Sequence, residues 1–200
     1  MEGETRERIL HAALALFAQR GYAGTSMSDI AGVLGLSKAA LYRHFESKQA
    51  ILDGIVARME EQDREHARQS GVPEDVPEAD ACRATEIAQL CAFAKDMFRY
   101  WTRDPFASAF RRVLTLEQYR DPDMARMLSQ MLSAGPLEYV HALLAGRVDD
   151  PQEAALELYG PMFLLYSVYD GAQDDAQRQT VTAALDAHID RFCGKWEGRA

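Results

Sequence analysis

The stretch from Thr25 to Phe45 constrains the fold most, because it predicts two short helices joined by a tight turn. Ser26 and Ser37 each stand directly before a helical pattern, where a serine hydroxyl can cap the first backbone N–H groups. Gly35 lies where the first helix must end, at a position that requires a positive φ angle. Each helix has an inward apolar face at helical spacing, formed by Ile30, Ala31 and Leu34 in the first and by Ala40, Leu41 and Phe45 in the second.

The outward face of the second short helix carries hydrogen-bond donors and almost no acid. Its members are Lys38, Tyr42, Arg43 and His44. This arrangement is typical of a helix-turn-helix whose second helix enters the major groove of DNA. In such motifs the N-terminal side chains, here Lys38 and Ala39, meet base edges. Tyr42 and His44 can donate to phosphate oxygens, and Arg43 can contact either a base or a phosphate. An ordinary helical hairpin with a polar outer face is the alternative, because short motifs also match by chance.

Around this motif, one continuous pattern runs from about Arg6 to Leu52. Its parts are Ile9-Leu10-x3-Ala13-Leu14-x2-Phe17, Arg20-Gly21-Tyr22-x2-Thr25, Asp29-Ile30-Ala31-x3-Gly35-Leu36-Ser37-Lys38-x2-Leu41-Tyr42-x-His44-Phe45 and Ser47-Lys48-x2-Ile51-Leu52. The pattern resembles the TetR family of bacterial transcriptional repressors. The remaining three quarters of the chain has no comparable signature, which is usual for the variable effector domain of that family.

The resemblance implies an all-α fold of about nine helices. A three-helix helix-turn-helix DNA-binding domain would occupy residues 1–48, and a larger helical ligand-binding and dimerisation domain residues 49–200. A homodimer would repress transcription from a palindromic double-stranded DNA operator until a small-molecule effector releases it; an activator is the alternative. By the same resemblance, Tyr42, His44 and Lys48 grip the DNA backbone. The full set of predicted DNA-binding residues is Thr25, Ser28, Lys38, Ala39, Tyr42, Arg43, His44 and Lys48.

Apolar periodicity predicts helices along the whole chain and no strand. A loop rich in glycine and proline follows the fourth helix at 70–80. The seventh helix opens at Asp121-Pro122 and should break or kink at Gly135-Pro136, with its continuation over 137–145. The other predicted helices span about 5–20, 27–34, 38–45, 48–68, 81–102, 106–117, 152–169 and 175–196.

The body of the chain is rich in methionine and aromatic side chains, which adapt to irregular shapes and suit a pocket for an apolar or aromatic effector. Plain core packing is the alternative for any one of them. In the resembling family, the last two helices form a four-helix bundle with a second subunit. The predicted ligand-binding residues are Phe98, Trp101, Phe110, Met127, Met131, Phe163 and Tyr166, and the predicted dimer-interface residues are Leu156, Tyr159, Leu185, Ile189 and Phe192.

Charge is distributed unevenly along the chain. Through Gln49 there are six basic and five acidic residues, about +1 in all, whereas the whole chain carries −9. An acidic body is repelled by phosphate, so the chain is not a general nucleic-acid binder. The N-terminal segment can still bind DNA if its few cations lie on one face. Binding of another protein through the hairpin between Lys38 and Lys48 is the rival interpretation.

Several other functions find no support in the sequence. The sequence contains no run of 18 apolar residues, so it predicts no membrane span. Its acidic start is unlike a signal peptide, so we expect a cytoplasmic protein. The five histidines are dispersed, and no nucleophile, P-loop or dinucleotide motif occurs, so we expect neither an enzyme nor a metal or cofactor. Three cysteines, Cys82, Cys91 and Cys193, show no CxxC spacing and should be reduced. A redox-sensing thiol in the effector domain stays open as the alternative.

Overall fold

A computed structural model of the chain describes residues 2–76 and 85–196. Every regular element in these two ranges is a helix, and neither range contains a strand. The prediction of an all-α fold is therefore confirmed. None of the helices within these ranges is long and apolar enough to cross a lipid bilayer.

The first four helices follow the sequence prediction closely. They are α1 over Glu2–Arg20, α2 over Met27–Leu34, α3 over Lys38–His44 and α4 over Lys48–Ser70. The agreement has a local cause, because the caps and the turn glycine that set these bounds lie within a few residues of each helix end.

Two boundaries predicted for the later helices were wrong. The fifth helix was expected from residue 81, which lies outside the described residues, but residues 85 and 86 are not helical and the helix begins at Ile87. The seventh was expected to break or bend at Gly135-Pro136, but it ends at Leu132, and Pro136 lies in the first turn of a separate helix, where its missing N–H is not needed. The helices are α5 over Ile87–Arg103, α6 over Pro105–Glu117, α7 over Pro122–Leu132, α8 over Ala134–Leu144, α9 over Pro151–Gly171 and α10 over Asp175–Trp196.

The helices group into two compact units. The N-terminal unit contains α1, α2, α3, α4 as far as Gln62, and the segment Pro105–Arg126. The second unit contains Asp63–Asp104 and the chain from Met127 onward. α4 and α7 therefore contribute residues to both units. The predicted boundary between a DNA-binding domain and a ligand-binding domain after residue 48 stays a prediction.

Apolar side chains fill the N-terminal unit. α1 packs against α2 and α6, and α2 packs against α3. Ile9, Ile30, Leu41 and Ile55 have no exposed surface, and Phe17 is 2% exposed. Burial of each such side chain stabilises the fold by about 1.5–3 kcal/mol, so this core is what holds the short helices α2 and α3 in place.

In the second unit, α9 packs against α5, α8 and α10, and α10 packs against α5. The ring of Phe98 on α5 stacks on the ring of Tyr166 on α9, with centroids 5.2 Å apart. The buried hydroxyl of Tyr159 donates to the carbonyl of Leu132 at the end of α7, at 2.7 Å. Burial raises the pKa of the Tyr159 phenol well above its usual value, so this phenol stays neutral and keeps its donor proton.

A proline inside α9 leaves one carbonyl of this helix without its usual helical donor, and α10 binds there. Pro161 has no backbone N–H to donate to the carbonyl of Glu157, one turn earlier. On α10, Nε2 of His188 lies 2.7 Å from that carbonyl oxygen. The Nζ atom of Lys195 lies 2.6 Å from the Glu157 carboxylate. Two side chains of α10 therefore bind the residue whose helical hydrogen bond the proline removes.

Three glycines of the N-terminal unit allow a graded test of its backbone geometry. Gly21 has a φ of 76°, and a Cβ there would lie 2.7 Å from Oε1 of Glu117. Gly35 has a φ of 66° with open space around it, and Gly32 lies within α2 with open space around it. We expect Gly35→Ala to destabilise the protein by about 1–2 kcal/mol through φ alone, and Gly21→Ala by more. Gly32→Ala should stabilise it by up to about 1 kcal/mol.

Urea unfolding of the three variants measures this order. Equal free energies of unfolding for Gly21→Ala and Gly32→Ala would contradict the positive φ and the close approach of Glu117.

Candidate DNA-binding surface

The two short helices are fixed at their ends by the local signals that the sequence predicted. The Ser26 N–H donates to Oδ2 of Asp29 at 2.8 Å, and the Asp29 N–H donates to Oγ of Ser26 at 3.2 Å, which forms a capping box on α2. The Ser26 hydroxyl also donates to Oδ2 of Asp29, at 2.5 Å, and this bond, followed by the one from the Ser26 N–H, lowers the pKa of the Asp29 carboxyl. Gly35 ends α2 in the left-handed region. The Ala40 N–H then donates to Oγ of Ser37 at 3.1 Å and caps α3.

The outer face of α3 is exposed and carries three donor side chains. Lys38, Ala39, Tyr42 and Arg43 all lie on this face, and Tyr42 is 46% exposed. Leu41, between them in sequence, is completely buried and anchors the helix to the core. We call these four exposed residues the α3 outer face. It presents one ammonium, one phenol and one guanidinium to solvent, which are groups that can donate to phosphates and base edges.

The other four predicted DNA-binding residues lie in different surroundings. Ser28 is exposed on α2, whereas Thr25 is 2% exposed and its hydroxyl donates to the Gly21 carbonyl at 2.9 Å. His44 is half-buried, and its Nδ1 is buried with no hydrogen-bond partner among the described residues. Lys48 is also half-buried. The structure therefore brings Ser28 and the α3 outer face together as exposed groups of one unit and turns the Thr25 hydroxyl inward.

Lys48 binds the joint between α1 and α2. Its Nζ atom donates to the carbonyl of Tyr22 at 2.6 Å and to the carbonyl of Thr25 at 2.9 Å. The same atom lies 4.3 Å from the centroid of the Tyr22 ring. Burial lowers the pKa of the Lys48 ammonium. An ammonium has three donors, so two are occupied by this joint and a third remains for another acceptor.

Two positioning contacts in the N-terminal unit were not predicted from the sequence, one at this joint and one at the end of α3. The carboxylate of buried Glu117, at the end of α6, accepts the Tyr22 N–H at 3.3 Å. The guanidinium of Arg6 donates to the His44 carbonyl at 2.7 Å and lies 4.2 Å from the centroid of the Phe45 ring. Arg6 therefore attaches the end of α3 to α1. No local pattern indicates the Glu117 contact, because its partners are far apart in sequence.

Tyr22 is itself held on several sides. Its ring packs edge-on against Phe17, and its hydroxyl donates to Oε1 of Gln49 at 2.9 Å. Burial, followed by the nearby carboxylates of Asp53 and Asp121, raises the pKa of the Tyr22 phenol. The phenol therefore stays protonated and remains a donor to α4 at neutral pH.

The predicted ligand-binding residues divide between the two units. Phe110 is completely buried in the N-terminal unit, and the other six belong to the second unit. Within the second unit, Phe98, Trp101 and Tyr166 are buried, and Phe98 and Tyr166 touch by ring stacking. Met127 and Met131 are half-buried, whereas Phe163 is 45% exposed. Phe163 therefore lies on the surface of the chain and not in its interior.

The predicted dimer-interface residues also differ in their exposure to solvent. Leu156 is 50% exposed, but the other four are buried within the chain itself. The periodicity had identified the inward stripes of the last two helices, so it could not show which apolar side chains remain uncovered. The exposed apolar side chains of α9 are Leu156, Phe163, Leu164 and Val168. We call them the α9 outer face, because their spacing places them on one side of the helix.

Comparison with known proteins bears on the N-terminal segment. Residues 9–55 match the family model described as bacterial regulatory proteins, tetR family. The HTH-type transcriptional regulator YerO of Bacillus subtilis (strain 168) is 47% identical over 49 residues, which are 24% of this chain and 17% of that protein. IcaR of Staphylococcus aureus (strain Newman), a negative transcriptional regulator of the biofilm operon icaADBC, is 42% identical over 51 residues, 26% of this chain and 27% of that protein. The matches thus span less than a third of either relative.

Solved structures extend the likeness to the whole fold. A TetR-family transcriptional regulator from Mesorhizobium loti is similar over 98% of both chains, with a TM-score of 0.65 and 20% identity. SmeT in complex with triclosan is similar over 96% of this chain and 91% of that chain, with a TM-score of 0.62 and 23% identity. These likenesses concern the fold alone. The resemblance predicted from the sequence is confirmed, and the chain carries the helix-turn-helix domain of the tetR family of bacterial regulatory proteins.

Proposed function

We propose that the chain is a sequence-specific DNA-binding transcriptional regulator that acts in the cytoplasm. The observation that carries this proposal is the α3 outer face, an exposed set of donors on a short helix whose opposite side is anchored by Leu41. Lys38 and Ala39 at the start of α3 would meet base edges, and Tyr42 and Arg43 would contact phosphates or bases. The relatives are named as transcriptional regulators, which favours DNA over a protein as the partner of this hairpin and agrees with the expectation that the chain is not an enzyme.

The remaining predicted contacts have subordinate roles in this proposal. Ser28 adds a hydroxyl from α2. Lys48 offers its third donor to a phosphate while its other two hold the α1–α2 joint. Thr25 contributes through its carbonyl, which Lys48 binds, and His44 through its position at the end of α3. Removal of Lys48 would therefore weaken both the fold and the DNA complex.

We further propose that the protein is a homodimer that reads a palindromic operator. One short helix contacts too few bases for useful specificity, and a twofold dimer doubles the contact. The α9 outer face is the apolar surface that a second copy would cover, since exposed strips of this kind mark association sites. The small, exposed side chains of Ala183, Ala184 and Ala187 on α10 would allow close approach of the partner's helices.

Release by an effector completes the proposed mechanism. SmeT is described both as the repressor of a multidrug efflux pump and in complex with triclosan, and IcaR is described as a negative regulator. By analogy we propose repression relieved by a small apolar or aromatic molecule bound near Phe98, Tyr166, Met127 and Met131. Such a molecule can shift the population between two arrangements of the recognition helices only through its different affinity for each.

The DNA contact is tested by removal of single charges. We expect Arg43→Ala to weaken binding to a duplex selected by the wild-type protein from a random-sequence library by about fivefold or more, because a direct contact of this kind contributes about 1–3 kcal/mol. Arg112→Ala, which removes an exposed arginine on α6 of the same unit, should change affinity by less than about threefold. Fluorescence anisotropy at several salt concentrations gives the affinities and the salt slopes. Equal effects of the two variants would refute the assignment of the α3 outer face.

The dimer interface is tested with a pair of leucines of equal exposure. Leu164 on α9 is 64% exposed and Leu116 on α6 is 65% exposed. We expect Leu164→Glu to shift the molar mass by light scattering from twice 22.4 kDa to a single chain of 22.4 kDa, because a buried unpaired charge is costly. Leu116→Glu should leave the dimer intact. A wild-type monomer at micromolar concentration would contradict the proposal.

The effector is tested by thermal shift with a panel of hydrophobic aromatic molecules, triclosan among them. We expect at least one to raise the melting temperature, because a ligand that binds only the folded state stabilises it. Met131→Ala should reduce that rise, since it removes a proposed lining side chain, whereas Leu116→Ala should not. A panel without any stabilising member would argue against the proposed pocket.

A further inference from the structure

The register between α5 and α10 is fixed by two ion pairs. Nζ of Lys95 lies 2.5 Å from Oδ1 of Asp190, and Nη2 of Arg99 lies 2.8 Å from Oδ2 of Asp186. A step of four residues forward on α5 therefore corresponds to a step of four residues back on α10. The two helices pack against each other in antiparallel directions with a defined register.

This register brings Cys91 to within one residue of the level of Cys193. Cys91 lies one turn before Lys95 on α5. Gly194, the neighbour of Cys193, lies one turn after Asp190 on α10. The same relation at the other end places Thr102 within one residue of the level of Thr182, and both threonines are buried. The burial of both threonines fits a contact between α5 and α10 that continues beyond the ion pairs.

The burial of the two cysteines fits positions along this contact. Cys91 belongs to the buried stripe of α5 that also contains Ala94 and Phe98 and is 3% exposed, while Cys193 is half-buried. Packed helices lie about 8–10 Å apart with Cα atoms about 2.3 Å from each axis, so directly facing Cα atoms approach to about 3.4–5.4 Å. A disulfide requires a Cα separation of about 4.4–6.8 Å. Neither cysteine is in a disulfide in this structure.

We propose that Cys91 and Cys193 are an oxidisable dithiol that forms a disulfide between α5 and α10. A hydroperoxide is the class of oxidant. It would oxidise the more accessible Cys193 thiol to a sulfenic acid with release of one water or alcohol. The Cys91 sulfur would then attack the Cys193 sulfur, the S–O bond would break, and the hydroxyl would leave as water with the Cys91 proton. The two thiols lose two electrons in total, and the peroxide gains them.

The disulfide would have a physical consequence for the second unit. It closes a loop of about a hundred residues, and cross-links over loops of this length stabilise a chain strongly against unfolding. It also fixes α5 against α10 at the end of their contact that the two ion pairs do not reach. Oxidation would therefore restrict any rearrangement that changes the packing of these helices.

The test is peptide mapping after oxidation of the whole chain. Tryptic cleavage places the cysteines on three peptides, 69–83, 84–95 and 192–195. Wild type and Cys82→Ser, treated with hydrogen peroxide and then alkylated, should both yield a disulfide-linked species of 84–95 with 192–195. Dithiothreitol should abolish it. Oxidation of Cys91 and Cys193 to the disulfide should raise the melting temperature of Cys82→Ser. The double variant Cys82→Ser/Cys193→Ser should show neither the linked species nor the rise in melting temperature.

Three results would overturn the proposal. The first is a disulfide that involves peptide 69–83 in the wild type, with no linked species in Cys82→Ser. The second is conversion of Cys193 to a sulfinic acid while Cys91 stays alkylatable. The third is a linked species found only in covalent dimers, which non-reducing electrophoresis separates from the intramolecular product. Because the wild type is mapped alongside, poor folding of a variant does not prevent the test.

Discussion

The joint between α1 and α2 in the N-terminal unit is held by one ammonium group. The carbonyls of Tyr22 and Thr25 lie in the joint between two helices, where no helical N–H is available to them. Lys48 donates to both at short distance and so attaches this joint to the start of α4. Glu117 holds the same joint through the Tyr22 N–H. The direction in which α2 and α3 leave the joint, and with it the orientation of the α3 outer face, follows from these contacts.

The bounds of α2 and α3 could be predicted because their signals are local. Ser26, Gly35 and Ser37 act within one turn of the helix ends that they define. The contacts that hold the joint could not be predicted in the same way. Tyr22 and Glu117 meet only after the chain has folded back. The sequence therefore indicated which helix faces outward, but not which of the eight predicted contacts stay exposed.

The last helices show a different limit of periodicity. α9 has apolar side chains on more than one side, so a repeat of three and four residues does not tell the covered side from the uncovered one. Tyr159 and Leu158 are buried in the chain, while Leu156 and Leu164 are exposed. The distinction comes from the packing of α9 against α5, α8 and α10, which fixes its rotation. The same packing, through Lys95–Asp190 and Arg99–Asp186, sets the register that brings the two cysteines to within one residue of the same level.

The hydrogen bond from His188 to the Glu157 carbonyl ties together two positions that no motif connects. Pro161 withholds the donor that a helix would normally supply, so the imidazole must carry its proton on Nε2 to fill the gap. A residue other than proline at 161 would return the missing N–H to the ladder, and the Glu157 carbonyl would then be shared between this N–H and the imidazole. Replacement of the His188 imidazole by an apolar group would leave the part-buried Glu157 carbonyl without this donor. Substitutions at these two sites are thus coupled through the one carbonyl oxygen of Glu157.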